Sequence, residues 1–369
     1  MNVNRRIFTR ASSIAAIAVA ATIVLSSCAA NEAAPASTGT TAPNALSGTL
    51  NGIGSSAQGA AETAWIAGFQ TSNPKVTVNY DPQGSGAGRT NFISGAADFA
   101  GSDAALKDTE IATPSPLCKA GTKAIDLPVY ISPIAIAYNV DGLKDLKLDA
   151  ATIAGIFKGA ITKWDDAAIK SLNSGATLPS APITVVHRSD DSGTTQNFTD
   201  YLSANAPTVW DKPAAQTYPY AIGDAAKGTS GVADAVKGAA NSIAYIDESG
   251  ATGLGIAQLK VGDSFVKINA AGAADVVAKS PVAAGRGTND LAIAIDRKNT
   301  DKNAWPLVLV SYMIVCNTYD DPAKAELVKA YASYVASSEG QSAAATQAGS
   351  SPLAKDLAAK VAKAIATIK

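Results

Sequence analysis

Apolar residues recur with two different spacings along this chain. Val76, Val78 and Tyr80 alternate with polar residues, which predicts a strand, whereas Trp65 and Phe69 lie on one face of a predicted helix over 60–69. Short apolar runs predict further strands at 49–53, near 99, and at 134–138, 183–186, 243–246, 291–295 and 307–315. Helical spacing predicts further helices near 92–93 and at 153–157, 165–172, 196–202 and 323–336.

The order of these elements sets the expected fold class. A last helix carries one apolar stripe, at Leu353, Leu357, Val361 and Ile365. Strands and helices alternate from residue 49 onward, a pattern typical of a sheet covered by helices on both faces. The sequence therefore predicts an α/β protein.

The first 28 residues have the features of an export signal. Arg5, Arg6 and Arg10 precede an apolar run over 14–25 that is too short for a stable membrane span. The run ends in Leu25-Ser26-Ser27-Cys28, which resembles the lipobox of bacterial lipoproteins and predicts lipid on Cys28; a secretory signal with a chance cysteine is the alternative. We favour general export over the twin-arginine route. Residues 29–46 are small and polar and predict a flexible tether.

Composition excludes several function classes. The 369 residues carry 30 basic and 31 acidic side chains, and no basic stripe suggests a nucleic-acid partner. A single histidine and three cysteines disfavour the usual metal sites, so we expect no cofactor. Beyond Cys28, the remaining Cys118 and Cys316 suggest a disulfide in an oxidising compartment, with two independent buried thiols as the alternative.

Three segments rich in glycine and hydroxyl residues each follow a predicted strand and open a helix: 52–57, 84–88 and 191–195. The first N–H groups of a helix have no partner within it and carry partial positive charge. One such segment can bind an anion, and three in one chain predict convergence on one small oxyanion. Ordinary capping of each helix by serine or threonine is the alternative.

Charged residues stand beside these segments. Asp103 follows the strand near 99, and Arg188 follows the strand over 183–186. An arginine fork suits two hydrogen bonds to an oxyanion, and Asp190 and Asp191 could hold that fork in place; a surface ion pair is the alternative. His187 is adjacent, but alternation along the strand points it away from the side of Arg188.

Several stretches, in this order, carry a family resemblance that spans the chain from about residue 47 to its end. The chain is similar to the phosphate-binding proteins of high-affinity phosphate ABC transporters, the PstS family. The matching stretches are Gly52-Ile53-Gly54-Ser55-Ser56-Ala57, Asn79-Tyr80 with Gly84-Ser85-Gly86-Ala87-Gly88, Asp98-Phe99-Ala100-Gly101-Ser102-Asp103-Ala104, Lys163-Trp164-Asp165-Asp166, His187-Arg188-Ser189-Asp190-Asp191-Ser192-Gly193-Thr194 and Ala304-Trp305-Pro306-Leu307.

The resemblance implies a role for each matching site residue. It makes Asp103 the acceptor of the phosphate proton, Arg188 a ligand, and Asp190 the carboxylate that orients Arg188. The other implied phosphate ligands are Ser56, Ala57 through its backbone, Ser85, Ser192, Gly193 and Thr194. The first segment departs from the family, since relatives often have Ala-Thr-Phe where this chain has Ser55-Ser56-Ala57. The roles of Ser55 and Arg89 stay open.

The resemblance also implies a two-lobed solute-binding fold, each lobe a mixed sheet flanked by helices, with the ligand in the cleft between lobes. Lobe one is expected at 47–130 and 306–369, and lobe two at 131–305, which places both remaining cysteines in lobe one. The implied protein is a monomeric, lipid-anchored receptor outside the cytoplasm that delivers inorganic phosphate to membrane permease subunits, and it is no enzyme. A receptor for sulfate or molybdate, a secreted phosphatase, and an adhesive or signalling lipoprotein are the alternatives.

Overall fold

The computed structural model describes residues 46–369 of the chain. The predicted signal, Cys28 and all but the last residue of the predicted tether lie outside the described residues. Within residues 46–369, no helix is both long and apolar enough to cross a membrane.

Strands and helices alternate through the described residues, as the sequence predicts. The strands are β1 Gly48–Gly54, β2 Val76–Asp81, β3 Phe99–Ser102, β4 Ala124–Asn139, β5 Lys147–Leu148, β6 Thr184–Arg188, β7 Asp224–Ala226, β8 Ser242–Asp247, β9 Gly255–Ile256, β10 Gln258–Val261, β11 Ser264–Val266 and β12 Val308–Cys316. The helices are α1 Gly59–Ser72, α2 Ser85–Ser94, α3 Asp108–Ala112, α4 Ala150–Lys158, α5 Ala167–Leu172, α6 Gly193–Asn205, α7 Gly228–Gly238, α8 Ala270–Lys279, α9 Pro322–Val335, α10 Ser338–Ala348 and α11 Lys355–Ala366, with a 3-10 turn at Glu248–Gly250.

One long strand, β4, belongs to two halves of the main sheet. The strand order is β2-β1-β3-β12-β4-β8-β6-β7, and β9 also pairs with β4. Residues 124–133 of β4 pair with β12, and residues 134–139 pair with β8. We call β1, β2, β3, β12 and residues 124–133 the first half, and β6 to β9 with residues 134–139 the second half. The helices and loops that connect consecutive strands of one half are counted with that half. β5, β10 and β11 form a separate small sheet.

The two strands at the centre are buried along nearly their whole length. All nine residues of β12 are buried, as are the fourteen inner residues of β4. Such continuous apolar runs are typical of strands covered on both faces, whereas alternation marks strands with one wet face. Where the halves meet, the buried Trp305 donates a hydrogen bond to the carbonyl of Ile134 (3.1 Å). The core therefore fixes the line along which the two halves join.

Strand β4 is ten residues longer than predicted at its amino-terminal end. The added part contains Pro128 and Pro133, and proline removes a donor from a strand ladder. In the structure Pro128 pairs with Tyr312 where the β4–β12 register shifts, and Pro133 pairs at the end of that ladder. Both prolines thus sit where the ladder is interrupted or ends.

The strand predicted over 291–295 is wrong. Leu291 donates to the carbonyl of Asp126 (2.9 Å) and Ile293 to the hydroxyl of Tyr312 (2.9 Å), but these single bonds form no ladder. The segment is apolar because it packs on β4 and β12 of the first half. It lies within the stretch expected in lobe two, and the exact lobe boundaries stay a prediction.

The predicted pairing of Cys118 with Cys316 is confirmed as a disulfide, with Cα atoms 5.2 Å apart. Cys316 is the last residue of β12. Cys118 lies after α3, where its backbone forms an isolated antiparallel β-bridge with Tyr319. The bond ties the α3–β4 connection to the end of a central strand of the first half. In the chain-entropy view, a bond that closes so long a loop mainly restricts the unfolded chain.

Candidate functional site

The predicted site residues follow the carboxyl ends of strands in both halves. In the first half β1 runs parallel to β3, so Ser55 and Asp103 leave the same edge of the sheet. In the second half β6 ends at Arg188. The segment 84–88, predicted as a loop, forms the first turn of α2 from Ser85 onward, and α6 begins at Gly193, three residues before its predicted start.

Arg188 and Asp190 form a two-point ion pair at the centre of the site. Arg188 Nε lies 2.8 Å from Asp190 Oδ1 and Nη2 lies 2.5 Å from Oδ2, with 4% and 11% of the side chains exposed. Burial alone would raise the pKa of Asp190, but the hydrogen bonds and charge of Arg188 and the N–H of Gly228 outweigh it, so the pKa is lowered. The guanidinium is thereby fixed in place, with Nη1 3.5 Å from Thr194 Oγ1.

Asp103 of the first half reaches across to α6 of the second half. Its Oδ2 accepts a hydrogen bond from Thr194 Oγ1 (3.3 Å), and its carbonyl accepts one from Asn197 Nδ2 (2.8 Å). Its own N–H donates to Ser85 Oγ (3.1 Å). Burial raises the pKa of the Asp103 carboxyl, although nearby hydroxyl groups, that of Ser55 first, and the charge of Arg188 oppose the rise.

One oxygen of Asp103 has no partner. Among the described residues, the buried Oδ1 accepts no hydrogen bond. An unpaired buried carboxylate oxygen is costly, so native structures normally provide a donor for it. This oxygen can accept a proton-bearing group of a ligand.

The amino end of α6 supplies backbone donors to the same place. Ser192 caps the helix by accepting a hydrogen bond from the N–H of Thr195 (3.1 Å). The N–H groups of Gly193 and Thr194 have no acceptor within residues 46–369. A Cβ on Gly193 would lie 2.6 Å from Ser85 Oγ, so only glycine allows this approach of the two halves. These two N–H groups therefore lie at the positive end of the helix dipole, where Thr194 Oγ1 contacts both Asp103 and Arg188.

The first segment is bonded differently from what the resemblance implies. Ser55 Oγ accepts hydrogen bonds from the N–H groups of Ala57 (3.1 Å) and Gln58 (3.3 Å), so it caps the turn before α1. The backbone donor of Ala57 is thus already engaged. Ser56 Oγ accepts from the N–H of Thr229 (3.0 Å) and lies 3.2 Å from its hydroxyl oxygen. The role of Ser55, left open by the sequence, is this cap.

A fourth segment, at the start of α7, was missed by the sequence reasoning. The N–H of Gly228 donates to Asp190 Oδ1 (3.0 Å), and Thr229 holds Ser56 across the cleft. Gly228-Thr229-Ser230 has the same glycine and hydroxyl composition as the three predicted segments and also opens a helix. That composition was the signal that could have found it.

His187 lies apart from these donors. Its ring stacks on Tyr218 with centroids 4.1 Å apart, and Nδ1 lies 3.0 Å from the carbonyl oxygen of Arg188. The alternation argument correctly separated it from the side of Arg188.

Within the described residues, no group of three or more His, Cys, Asp or Glu side chains is arranged to hold a metal ion.

Arg89 is buried between the halves. Its Nε bonds to Glu110 (3.0 Å), its Nη1 donates to Ser102 Oγ (3.1 Å), and its Nη2 donates to Gln216 Oε1 (2.8 Å). Gln216 lies between α6 and β7 of the second half, and its carbonyl accepts from the N–H of Ser192 (3.1 Å). Arg89 thus links the Asp103 segment to the start of α6.

The assembled groups have a definite chemical capability. A guanidinium, two backbone N–H groups and nearby hydroxyls offer donors, while one carboxylate oxygen offers an acceptor. Oxyanions without protons use donors alone, and a carboxylate close to them is repulsive. The arrangement therefore suits a small oxyanion that retains a proton.

Comparison with known proteins gives a consistent result. A family model described as a PBP superfamily domain matches residues 39–339. The phosphate-binding protein PstS 3 of Mycobacterium leprae is 40% identical over 288 residues, which cover 77% of each chain. The phosphate-binding protein PstS 2 of Mycobacterium tuberculosis is 35% identical over 371 residues, which cover 98% of this chain and 99% of the relative.

A solved structure has the same fold. It is a high-affinity periplasmic phosphate-binding protein, PfluDING, bound with phosphate. Its TM-score with this chain is 0.70 at 23% sequence identity, and the match covers 85% of this chain and 93% of that one. The predicted α/β solute-binding architecture is confirmed by this likeness.

Proposed function

This chain belongs to the PstS family of phosphate-binding proteins, and we propose that it binds inorganic phosphate between the two halves of its sheet and delivers it to the membrane subunits of an ABC importer. The observation that carries the proposal is the meeting of Arg188 and the free N–H groups of α6 with the unpartnered Oδ1 of Asp103. Such a site supplies both donors and one acceptor, as a protonated phosphate requires.

Each proposed ligand has a distinct task. Arg188 supplies charge-assisted donors, oriented by Asp190, while Gly193 and Thr194 supply backbone donors. Ser85 and Ser192 add hydroxyl groups beside them, and Asp103 accepts the proton of phosphate. Ser56 and Ala57 would join the ligand set by exchanging their present bonds for bonds to phosphate.

We propose that the two halves are lobes that close on the ligand. Donors from α6 belong to the second half, and Asp103 and Ser85 belong to the first. A ligand that contacts both sides binds the closed form more tightly and shifts the population toward it. β4 and the start of β12 would then be the two connections that bend.

Other functions fit the site less well. Sulfate and molybdate have no proton to offer Asp103, so the carboxylate would repel them. A phosphatase would need a nucleophile beside a base or metals, and His187, the chain's one histidine, stacks on Tyr218 instead. We therefore propose a binding protein without catalytic activity or cofactor, acting as a monomer, with an adhesive or signalling role as a possible addition.

Calorimetry tests the proposed ligand directly. We expect ligand-stripped protein to bind inorganic phosphate at one site. Sulfate should bind at least about a hundredfold more weakly because the Asp103 carboxylate repels it, and this factor corresponds to about 2.7 kcal/mol. Sulfate binding as tight as phosphate binding would replace phosphate by a general oxyanion. Release of phosphate from a generic phosphomonoester would contradict the proposal that the chain is no enzyme.

We further propose that the protein works outside the cytoplasm, held to the outer face of the membrane by lipid on Cys28. Replacing Cys28 with alanine removes the lipid attachment point, so the protein should appear in the medium or accumulate as an uncleaved precursor. Cell fractionation followed by an immunoblot measures where the protein is found. Cys118→Ala is unsuitable as a control because it breaks the disulfide. Ser27→Ala keeps the cysteine and should stay anchored. A Cys28→Ala protein that is cleaved normally and remains on the membrane would contradict lipid anchoring.

A further inference from the structure

Arg89 and Gln216 form a hydrogen bond across the cleft that is separate from the proposed phosphate ligands. Arg89 lies on α2 of the first half, and Gln216 lies between α6 and β7 of the second half. Arg89 Nη2 donates to Gln216 Oε1 at 2.8 Å, and Arg89 is 2% exposed. A charge-assisted bond shielded from water is stronger than a neutral one at the surface.

Arg89 is held ready for this bond by the first half alone. Glu110 accepts from Nε and Ser102 accepts from Nη1, so two of its three nitrogens are fixed without help from the second half. Fixing the guanidinium in advance lowers the entropy lost when Gln216 arrives. Nη2 is left to face the cleft.

Among the described residues, the side chain of Gln216 makes one hydrogen bond, and its partner is Arg89. Its Nε2 is buried and has no acceptor among the described residues, so Arg89 sets the direction of the amide. The carbonyl of Gln216 accepts from the N–H of Ser192, directly before the free N–H groups of Gly193 and Thr194. The bond therefore joins the segment carrying Asp103 to the segment carrying those donors.

We infer that the Arg89–Gln216 bond is a positioning contact that forms when the lobes close and slows the release of bound phosphate. The inference rests on the proposed function, because it requires closure around a ligand. A bond present only in the closed form must break before phosphate leaves, whereas phosphate can enter the open form without it. Its loss should therefore act mainly on dissociation.

The variant that isolates this bond is Gln216→Met, which keeps the side-chain length and removes the amide acceptor. We expect radiolabelled inorganic phosphate to dissociate about tenfold faster from the variant, with the association rate within about twofold of wild type. Melting of the ligand-free variant should match wild type, since the bond is absent from the open form. An unchanged dissociation rate, or a melting shift without phosphate, would overturn the inference.

Gln83→Met is the matched control. Gln83 Oε1 accepts from Lys227 Nζ across the same cleft, but both residues are exposed, so its loss should leave dissociation nearly unchanged. A second control places Gln216→Met in an Arg89→Met background, where the Arg89–Gln216 bond is already missing. There, Gln216→Met should no longer accelerate dissociation, and a full tenfold effect would show that Gln216 acts through another partner.

The two hypotheses fail in different ways. A wild-type chain that does not bind phosphate in this assay removes the proposed function, and the inference with it. A wild-type chain that binds phosphate, with a Gln216→Met variant that releases it at the same rate, removes the inference alone.

Discussion

Arg188→Ala is expected to weaken phosphate binding by about a hundredfold or more. The substitution removes at least two charge-assisted donors from a buried site, and each is worth about 1.5–3 kcal/mol. It also leaves Asp190 without its cation, so a carboxylate faces the anion. Calorimetric titration with phosphate measures the loss, and Arg188→Lys should recover part of it because lysine restores charge without the two-point fork.

The same variant should fold less stably near neutral pH. Arg188 helps to hold the pKa of Asp190 below its ordinary value, so in wild type their pairing stabilises the fold above the pKa of an unfolded aspartate. This contribution fades as pH falls through the lowered pKa. The stability gap between wild type and Arg188→Ala should therefore narrow in acid, as denaturant titrations at several pH values would measure.

An exposed ion pair provides the control for Arg188. Lys158 pairs with Asp211 at 2.9 Å, and 33% and 59% of the two side chains are exposed. Lys158→Ala also removes a paired cation, but Lys158 bonds to Asp211 and the carbonyl of Val209 and to none of the proposed ligands, so phosphate affinity should be unchanged. Full-strength binding by Arg188→Ala would place the phosphate site elsewhere in the chain.

Asp103→Asn is expected to narrow the preference for phosphate over sulfate by an order of magnitude or more. Phosphate near neutral pH keeps at least one proton for the carboxylate, while sulfate offers none and is repelled. Selectivity of this kind arises from a penalty on the wrong ligand. Asparagine keeps the shape, removes the charge and can donate to sulfate, and about 1.4 kcal/mol of lost penalty is tenfold.

Sulfate titrations across pH give this prediction a second readout. Burial raises the pKa of Asp103, so acid neutralises the carboxyl earlier than it would an exposed one. Wild type should thus bind sulfate more tightly as pH falls toward that pKa, because the repulsion disappears. The profile of Asp103→Asn should be flatter over the same range.

Glu62→Gln controls for the loss of a buried carboxyl. Glu62 lies within α1, hydrogen-bonded to Tyr331, and burial raises its pKa to about 8 despite that bond. The residue is already largely uncharged near neutral pH, so its replacement should leave the selectivity unaltered. An unchanged phosphate-to-sulfate ratio in Asp103→Asn would show that another group discriminates between the anions.

Apolar periodicity predicted the fold where burial follows a simple pattern. Of the predicted stripe, Leu357, Val361 and Ile365 lie on α11 and are buried as expected, whereas Leu353 is buried but precedes the helix. Helices α3, α7, α8 and α10 were missed: α3 has only five residues, and the others are rich in alanine, glycine and serine, which give little apolar periodicity. α10 instead packs close to α1, where Trp65 Nε1 donates to the carbonyl of Gly340 (2.8 Å). Small residues allow close packing and carry almost no signal in a sequence.

The site was predictable where chemistry is local. Arg188 is two and three residues from Asp190 and Asp191, so the sequence offers both carboxylates as local partners, and the structure shows that Asp190 forms the ion pair. Arg89 meets Gln216 across 127 residues, and no local pattern links them. The engagement of Ala57 by Ser55 likewise depends on how the turn before α1 is wound. Composition identifies which segments face the cleft, and the fold decides which donors are already used.

The order of strands in the first half has a consequence for how the chain folds. β12 lies between β3 and β4, although its residues come near the end of the chain. Until the chain is complete to the end of β12, β3 and residues 124–133 of β4 lack the strand that pairs with both of them. Closing so long a stretch of chain is entropically costly, so the assembly of this half is a slow, late event.

Until β12 inserts, two apolar strand edges stay open and can pair with other chains. The insertion also brings Cys316 to Cys118, so the native disulfide can form only in a chain that is complete to that point. A chain cut short before residue 308 would keep both edges and a free thiol. Insertion of β12 is therefore the step that converts an aggregation-prone intermediate into the native sheet.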